Sequence, residues 1–448
     1  MAESMDYDNA WPGSTPQRAY LVAVELKPER KPGRDTGWTA EESLAELAEL
    51  AGTAGAVVVG QTIQRRVAPD PATCIGEGKA VEIEAERARL GFDLVIFDDE
   101  LSPVHQRNLE NIIQCAIIDR TALILDIFAR RAKSRESKLQ VELAQLEYRL
   151  TRLAGKGVDL SRLGGGIGTR GPGETKLETD RRRIRARISR LRAELAEVAR
   201  HRGRLREDRQ KRSLLPVVAL TGYTNAGKST LHRALTGSDV LVEDRLFATL
   251  DATARRAEPE GGQPFILIDT VGFVQKLPHQ LVAAFRSTLE EVTAADLILH
   301  VVDASHPKRE EQVATVDRVL AELGAATKPR LLVLNKIDRL HGPETAQAEL
   351  ESLRRLYPAS VAVSAATGEN LDGLLRAINQ TLAASRRRRL VEIVIPYSEA
   401  SWVSWLHERA QVLAEEHTPE GTKVRAVLEE DLAGQLLARS QAASHRRK

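Results

Sequence analysis

Gly222-Tyr223-Thr224-Asn225-Ala226-Gly227-Lys228-Ser229 is the stretch on which the reading of this chain turns. It has the form GxxxxGKS and stands between an apolar run, Val217 to Leu220, and a helix-like stretch. Glycines let the backbone wrap a phosphate, so that successive N–H groups and a helix N-terminus face the anion, while Lys228 neutralises β- and γ-phosphate oxygens. Ser229 is the expected magnesium ligand through its hydroxyl, and Thr230 continues the phosphate-facing segment. At ordinary residue frequencies the octet alone arises by chance in roughly one or two chains per hundred of this length. Support has to come from further along the chain.

It comes from three places. Asp269-Thr270-Val271-Gly272 follows the apolar run Phe265 to Ile268; an acidic residue at a strand end can hold magnesium's water shell, and Gly272 can approach a γ-phosphate. Asn335-Lys336-Ile337-Asp338 follows another apolar run, and a carboxylate there can accept the two hydrogen bonds offered by guanine N1–H and its exocyclic amine, a pair that adenine lacks. Ser364-Ala365-Ala366 is expected to complete the base pocket through backbone contacts. In this order and spacing the residues resemble the translation-factor class of P-loop GTPases. Under that resemblance Phe247-Ala248-Thr249-Leu250-Asp251 occupies the first switch, with Thr249 as the magnesium-contacting threonine and Thr253 as the alternative. Lys228, Thr249 and Gly272 are then the catalytic candidates, and Ser229, Thr249 and Asp269 the Mg2+ ligands, the last through water. Phe273 stands where small GTPases carry the glutamine that orients water, so unaided hydrolysis is expected to be slow. Asn225 resembles the loop asparagine of potassium-activated GTPases, which makes K+ a second candidate ion.

Outward from the octet, 448 residues allow two to four domains, and 42% hydrophobic with 29% charged residues is the composition of a globular protein. No window approaches the roughly 18 uncharged apolar residues of a membrane span. The N-terminus lacks the basic and apolar regions of a secretory signal, so a cytoplasmic protein is expected. Cys74 and Cys115 lack zinc or disulfide spacing and read as core thiols. Residues 1–17 read as a disordered tail. Residues 18–122 read as an α/β domain, with strands at Tyr20 to Leu26, Ala56 to Val59, Leu94 to Phe97 and Ala116 to Ile118, and helices at Thr39 to Ala51 and Lys79 to Leu90. In 123–212, Leu139, Leu143, Leu146, Leu150 and Leu153 form one helical seam and Ile184, Ile188, Leu191, Leu195 and Val198 another, which predicts an antiparallel helical hairpin. Between the seams Gly155 to Gly173 contains eight glycines and is longer than a hairpin needs. Continuous apolar runs at 217–220, 265–268, 297–302, 331–334 and 361–363 predict a doubly wound parallel sheet, the G domain, over 213–385. A small α+β domain over 390–448 follows the basic connector Arg386 to Arg389. The fold class is α/β, a doubly wound parallel-sheet G domain preceded by an α/β domain with a helical hairpin and followed by the small α+β domain.

The net charge of +2 conceals an asymmetry: Arg181 to Arg212 holds 14 Lys or Arg against 4 acidic residues, a local excess of +10 suited to phosphate backbones. Few aromatics accompany it, so shape and phosphate recognition fit better than base stacking.

Two further stretches narrow the resemblance. Arg135-Glu136-Ser137-Lys138-Leu139-Gln140-Val141-Glu142-Leu143-Ala144-Gln145-Leu146 and Gly164-Gly165-Gly166-Ile167-Gly168-Thr169-Arg170-Gly171-Pro172-Gly173-Glu174-Thr175-Lys176-Leu177-Glu178 look like the HflX family of ribosome-associated GTPases, together with Asp119-Arg120-Thr121 and Leu125 to Phe128, over roughly residues 20 to 385. What that resemblance implies is a GTP- and GDP-binding protein that docks on the large (50S) ribosomal subunit and its rRNA, is stimulated there, and separates stalled ribosomes. The glycine loop would reach toward the peptidyl transferase centre, with Arg162, Arg170 and Lys176, and then Arg181, Arg182 and Arg183, meeting RNA. A GTPase coupled to an RNA-modifying enzyme and a weakly hydrolysing, nucleotide-regulated RNA-binding protein are the competing readings. No feature fixes an oligomeric state, and a monomer is the simplest expectation.

Overall fold

The computed structural model describes residues 16–26, 37–153, 172–212, 215–237, 246–247, 249–259, 262–276, 286–340, 343–386, 388–399 and 401–429. The expected tail up to residue 15, most of the glycine loop with Arg162 and Arg170, the side chain of Lys176, and Ala248 lie outside the described residues. The chain divides into two compact units that part between Ala193 and Glu194.

The N-terminal unit is built on a four-stranded parallel sheet of β1 (Arg18–Leu26), β2 (Val57–Arg66), β3 (Leu94–Phe97) and β4 (Ala116–Asp119), in the order β2-β1-β3-β4. All four residues of β3 are buried, as a strand covered on both faces requires. Helices α1 (Ala40–Thr53), α2 (Glu77–Leu90), α3 (Pro103–Ile113) and α4 (Arg120–Arg131) connect and cover it. Helix α1 starts where Thr39 and Glu42 form a reciprocal capping box, at 3.2 and 2.9 Å. The boundary read at residue 122 falls inside α4, which is capped by Asp119 and buries Leu123, Ile124, Ile127 and Phe128; the apolar change near Leu123 marks a buried helix of the first domain, not a new domain.

At the carboxyl edge of this sheet Arg120, 2% exposed, bonds Asp98 Oδ1 at 2.6 Å and Glu46 Oε2 at 2.6 Å. Neighbouring Asp119 accepts from the Tyr148 hydroxyl at 2.8 Å and from Arg152 at 2.5 Å, both on α5 (Arg135–Leu153). The Asp119-Arg120 pair thus ties α1, β3 and α5 to one strand end.

Helix α5 meets the 41-residue α6 (Pro172–Arg212). The predicted seams sit inward: Leu139, Ile188 and Leu191 are buried, and Leu143, Leu146, Ile184, Leu195 and Val198 half-buried. Arg187 pairs with Glu142 and Arg192 with Glu147, tying α5 to α6 beside those seams.

The second unit carries the six-stranded sheet β10-β9-β8-β5-β7-β6: β5 (Val217–Gly222), β6 (Thr253–Ala257), β7 (Phe265–Asp269), β8 (Leu297–Asp303), β9 (Arg330–Asn335) and β10 (Ser360–Ala362). It is parallel except for β6, which runs antiparallel to β7 at the edge. β6 escaped the sequence reading because Thr253, Arg255 and Arg256 break the apolar pattern, as an exposed edge strand permits. Helices α7 (Lys228–Thr236), α8 (Arg286–Ala294), α9 (Arg309–Glu322), α10 (Pro343–Leu356) and α11 (Leu371–Arg386) flank the sheet. Its apolar core joins Leu220, Leu231, Phe265, Leu299, Val333 and Ile378. A C-terminal antiparallel sheet follows, ordered β11-β13-β12, from β11 (Arg388–Ile395), β12 (Gln411–Thr418) and β13 (Gly421–Glu429), with α12 (Ser401–Arg409) burying Leu406 against it. The expected basic connector shrinks, since Arg386 ends α11 and Arg388 opens β11.

Candidate nucleotide site

Strands β5, β7, β8, β9 and β10 all point their carboxyl ends at one edge of the sheet, which is where a doubly wound fold offers a crevice. The turn after β5 runs through Gly222–Gly227 into α7. Gly227 has φ +91°, and a Cβ there would fall 2.2 Å from Asn335 Nδ2, so only glycine fits. Lys228 is buried and donates through Nζ to Gly222 O at 3.1 Å and Tyr223 O at 2.8 Å. Burial lowers its ammonium to about 8; the Asp269 carboxylate opposes that shift and Lys336 adds to it. Such a buried cation gains when an anion arrives.

Ser229, Thr249 and Asp269, which are separated in sequence by up to 40 residues, meet in a triangle: Ser229 Oγ to Thr249 Oγ1 is 2.8 Å, Ser229 Oγ to Asp269 Oδ2 2.8 Å, and Thr249 Oγ1 to Asp269 Oδ2 2.9 Å. The other carboxylate oxygen, Asp269 Oδ1, is buried without a hydrogen-bond partner among the described residues. Two hydroxyls and a carboxylate with an unused oxygen are the hard donor set that suits a small divalent cation. Thr253, the alternative to Thr249, is committed to β6 opposite Asp269 in the strand register.

The base end is assembled across three loops. Asn335 Nδ2 donates to Ala226 O at 2.9 Å and its Oδ1 accepts from Ala365 N at 3.0 Å, stitching the phosphate loop to the segment after β10. Lys336 adopts a left-handed conformation (φ 63°) and reaches Asp303 Oδ2 at 2.8 Å. Asp338, in the short 3-10 turn Ile337–Arg339, accepts from Ser364 Oγ at 2.5 Å. Between these groups lies a cleft of about 250 Å³.

Of the predicted residues, Thr224, Asn225, Gly227, Lys228, Ser229, Thr230, Phe247, Thr249, Thr270, Gly272, Asn335, Lys336, Asp338, Ala365 and Ala366 line that cleft. Asp269 joins through the hydroxyl triangle, Gly222, Tyr223 and Ala226 through their carbonyls, and Ser364 through Asp338. Leu250 and Val271 are buried, Ile337 packs against the apolar cluster around Leu334, and Asp251 is half-buried; none of the four lines the cleft. Two participants went unread. Asp303, which anchors Lys336, carries the same signal as Asp269, an acidic residue closing an apolar strand; Arg339 on the cleft wall directly follows Asp338 in its turn. On α6, Arg182 and Arg183 are exposed, whereas Arg181 is half-buried.

A phosphate-cradling turn, a hydroxyl–carboxylate triangle and an Asn-Lys-x-Asp turn on a mostly parallel sheet define a P-loop guanine-nucleotide-binding domain. Comparison with known proteins agrees and is narrower: residues 41–129 match the family GTP-binding GTPase N-terminal, 131–209 GTP-binding GTPase middle region, 217–336 50S ribosome-binding GTPase, and 354–441 HflX C-terminal domain. GTPase HflX of Caldanaerobacter subterraneus subsp. tengcongensis is 48% identical over 410 residues, covering 92% of this chain and 90% of the relative. GTPase HflX of Escherichia coli K12 is 46% identical over 342 residues, 76% of this chain and 79% of its own. The crystal structure of a GTP-binding protein from Sulfolobus solfataricus in complex with GDP aligns with 82% of this chain and 99% of its own at 24% identity, with a TM-score of 0.43. The chain belongs to the HflX family of GTPases. Among the described residues no helix is long and apolar enough to cross a membrane.

Proposed function

We propose that this chain hydrolyses GTP to GDP and phosphate in the cleft between the phosphate loop and Asp338, in the cytoplasm, and that the large ribosomal subunit is both its docking partner and its activator. The carrying observation is the convergence of Lys228, the Ser229–Thr249–Asp269 triangle and Asp338 on one cleft. Loop amides and Lys228 would hold the phosphates, exchanging the carbonyls of Gly222 and Tyr223 for phosphate oxygens. Asp338 would accept from guanine N1–H and its amine, with Asn335 holding the pocket in register. Ser229, Thr249 and Asp269 would hold Mg2+, which neutralises charge on the β- and γ-phosphates when bound. Asn225, exposed on the cleft wall, offers an amide oxygen to K+. The family descriptions and the +10 charge excess over Arg181 to Arg212 support RNA as the partner surface, and separation of stalled ribosomes is the consequence we attach to docking.

Sedimentation of the protein with purified subunits under GTP, GDP and a non-hydrolysable analogue tests the reading. Preferential pelleting with the 50S subunit in the triphosphate state, with turnover raised by that subunit, is expected. Nucleotide binding without stimulation would point instead to a weakly hydrolysing RNA-binding protein. Failure of calorimetry to detect either GDP or GTP binding would remove the proposal altogether.

A further inference from the structure

Attack of water on a phosphoanhydride needs a group that holds the water in line with the breaking bond. Phe273 cannot be that group: its side chain is 2% exposed and its backbone is tied to the phosphate loop on both sides, Phe273 N donating to Gly222 O at 3.1 Å and Phe273 O accepting from Thr224 N at 2.7 Å. The second of these bonds also pins Thr224, which is 6% exposed. Thr224 Oγ1 is buried without a hydrogen-bond partner among the described residues, a condition that folded chains avoid unless the hydroxyl has other work.

Its surroundings locate that work. Thr224 lines the cleft, and a Cβ at Gly272 would fall 2.9 Å from Lys228 Nζ, 2.9 Å from Thr224 Cα and 2.9 Å from Thr224 Cγ2. The threonine, the phosphate-binding ammonium and the glycine that admits the γ-phosphate therefore surround one point. If packing alone were required, valine would fill the same volume without burying an unpaired hydroxyl.

Resting on the GTP reading above, we infer that Thr224 is the positioning residue for hydrolysis, its hydroxyl accepting a hydrogen bond from the attacking water and donating one to a γ-phosphate oxygen. The water oxygen bonds to the γ-phosphorus as the bond to the β–γ bridging oxygen breaks, and the electron pair leaves on GDP. One water proton passes to a γ-phosphate oxygen and the other stays on the attacking oxygen, giving dihydrogen phosphate. Thr224 ends the step unchanged.

Single-turnover GTP hydrolysis and GDP affinity of the full chain, compared with Thr224→Val and Thr224→Ser, decide the matter. Thr224→Val should slow hydrolysis about tenfold, the effect of one hydrogen bond made in the transition state, while binding GDP within about twofold of the parent. Thr224→Ser, which keeps the hydroxyl, should recover most of the rate. Hydrolysis by the valine variant at the parental rate overturns the inference, and so does a parallel loss of GDP binding, which would make the hydroxyl a structural part of the loop. If the parent itself binds no guanine nucleotide, the GTP reading fails first and takes this inference with it.

Discussion

Asp338 and His300 show how differently single residues can be read. The Asp338 carboxylate is bonded through Oδ1 to Ser364 Oγ at 2.5 Å, which fixes its orientation, and Oδ2 takes no part in that bond. Asp338→Asn should lower GDP affinity by about two orders of magnitude and raise that for xanthosine diphosphate, since the amide offers a donor where guanine needs an acceptor. Titration with both nucleotides checks this, and unchanged GDP affinity would separate Asp338 from base recognition. His300 had no signal in the sequence. It lies on β8, opposite Thr221 of β5, and burial lowers its imidazole to about 3, with the charges of Arg330 and Lys228 acting in the same direction. The unfolded chain takes up this proton near 6.5 and the folded chain resists it. Stability is therefore complete above about pH 6.5 and is lost as pH falls below it, by about 1.4 kcal/mol per pH unit for this one group. His232, also held down by burial, adds to that slope. His300→Leu should reduce the dependence of the urea midpoint on pH between 5 and 6.5, and an unaltered slope would contradict the assignment.

Elements were legible where one physical cause dominated. Strands β3, β7, β8 and β9 stand out because burial on both faces demands unbroken apolar runs. Helix α3 was passed over although Ser102 caps it and Pro103 opens it, for its polar stretch shows only Leu109 and Ile113 buried. β2 proved longer than Ala56 to Val59, because an edge strand accepts Gly60, Gln61 and Gln64 among its apolar residues. The seams of α5 and α6 were legible as faces, because Leu139, Ile188 and Leu191 recur at helical spacing and are buried. The Arg120 network also belongs to this scale, since it joins α1, β3 and α4. Arg120→Leu would leave Asp98 and Glu46 buried without their counter-charge and should destabilise the N-terminal unit by about 3–5 kcal/mol. Chemical denaturation read by circular dichroism measures that loss, and GDP affinity, set in the other unit, should not move with it.

At the scale of the whole molecule the chain holds two compact units, each with its own apolar core. A ligand stabilises only what it binds, so GDP at about 100 times its Kd should stabilise the second unit by about 2.7 kcal/mol and leave the first where it was. Calorimetry should show two transitions, of which only one rises with GDP; a single transition moving as a whole would show that the units unfold together. By itself the sequence determined the nucleotide chemistry and the strand–turn–helix scaffold, because phosphate wrapping, strand-end acids and doubly covered strands each impose residue types at short, local spacings. Only the tertiary structure decided that Ser229, Thr249 and Asp269 share one set of hydrogen bonds, that Asp303 steadies Lys336, that Arg187 and Arg192 of α6 pair with Glu142 and Glu147 of α5, and that Thr224, packed against Gly272, buries a hydroxyl with no hydrogen-bond partner among the described residues. Those relations join residues far apart in the chain, and packing and strand register create them where no local pattern does.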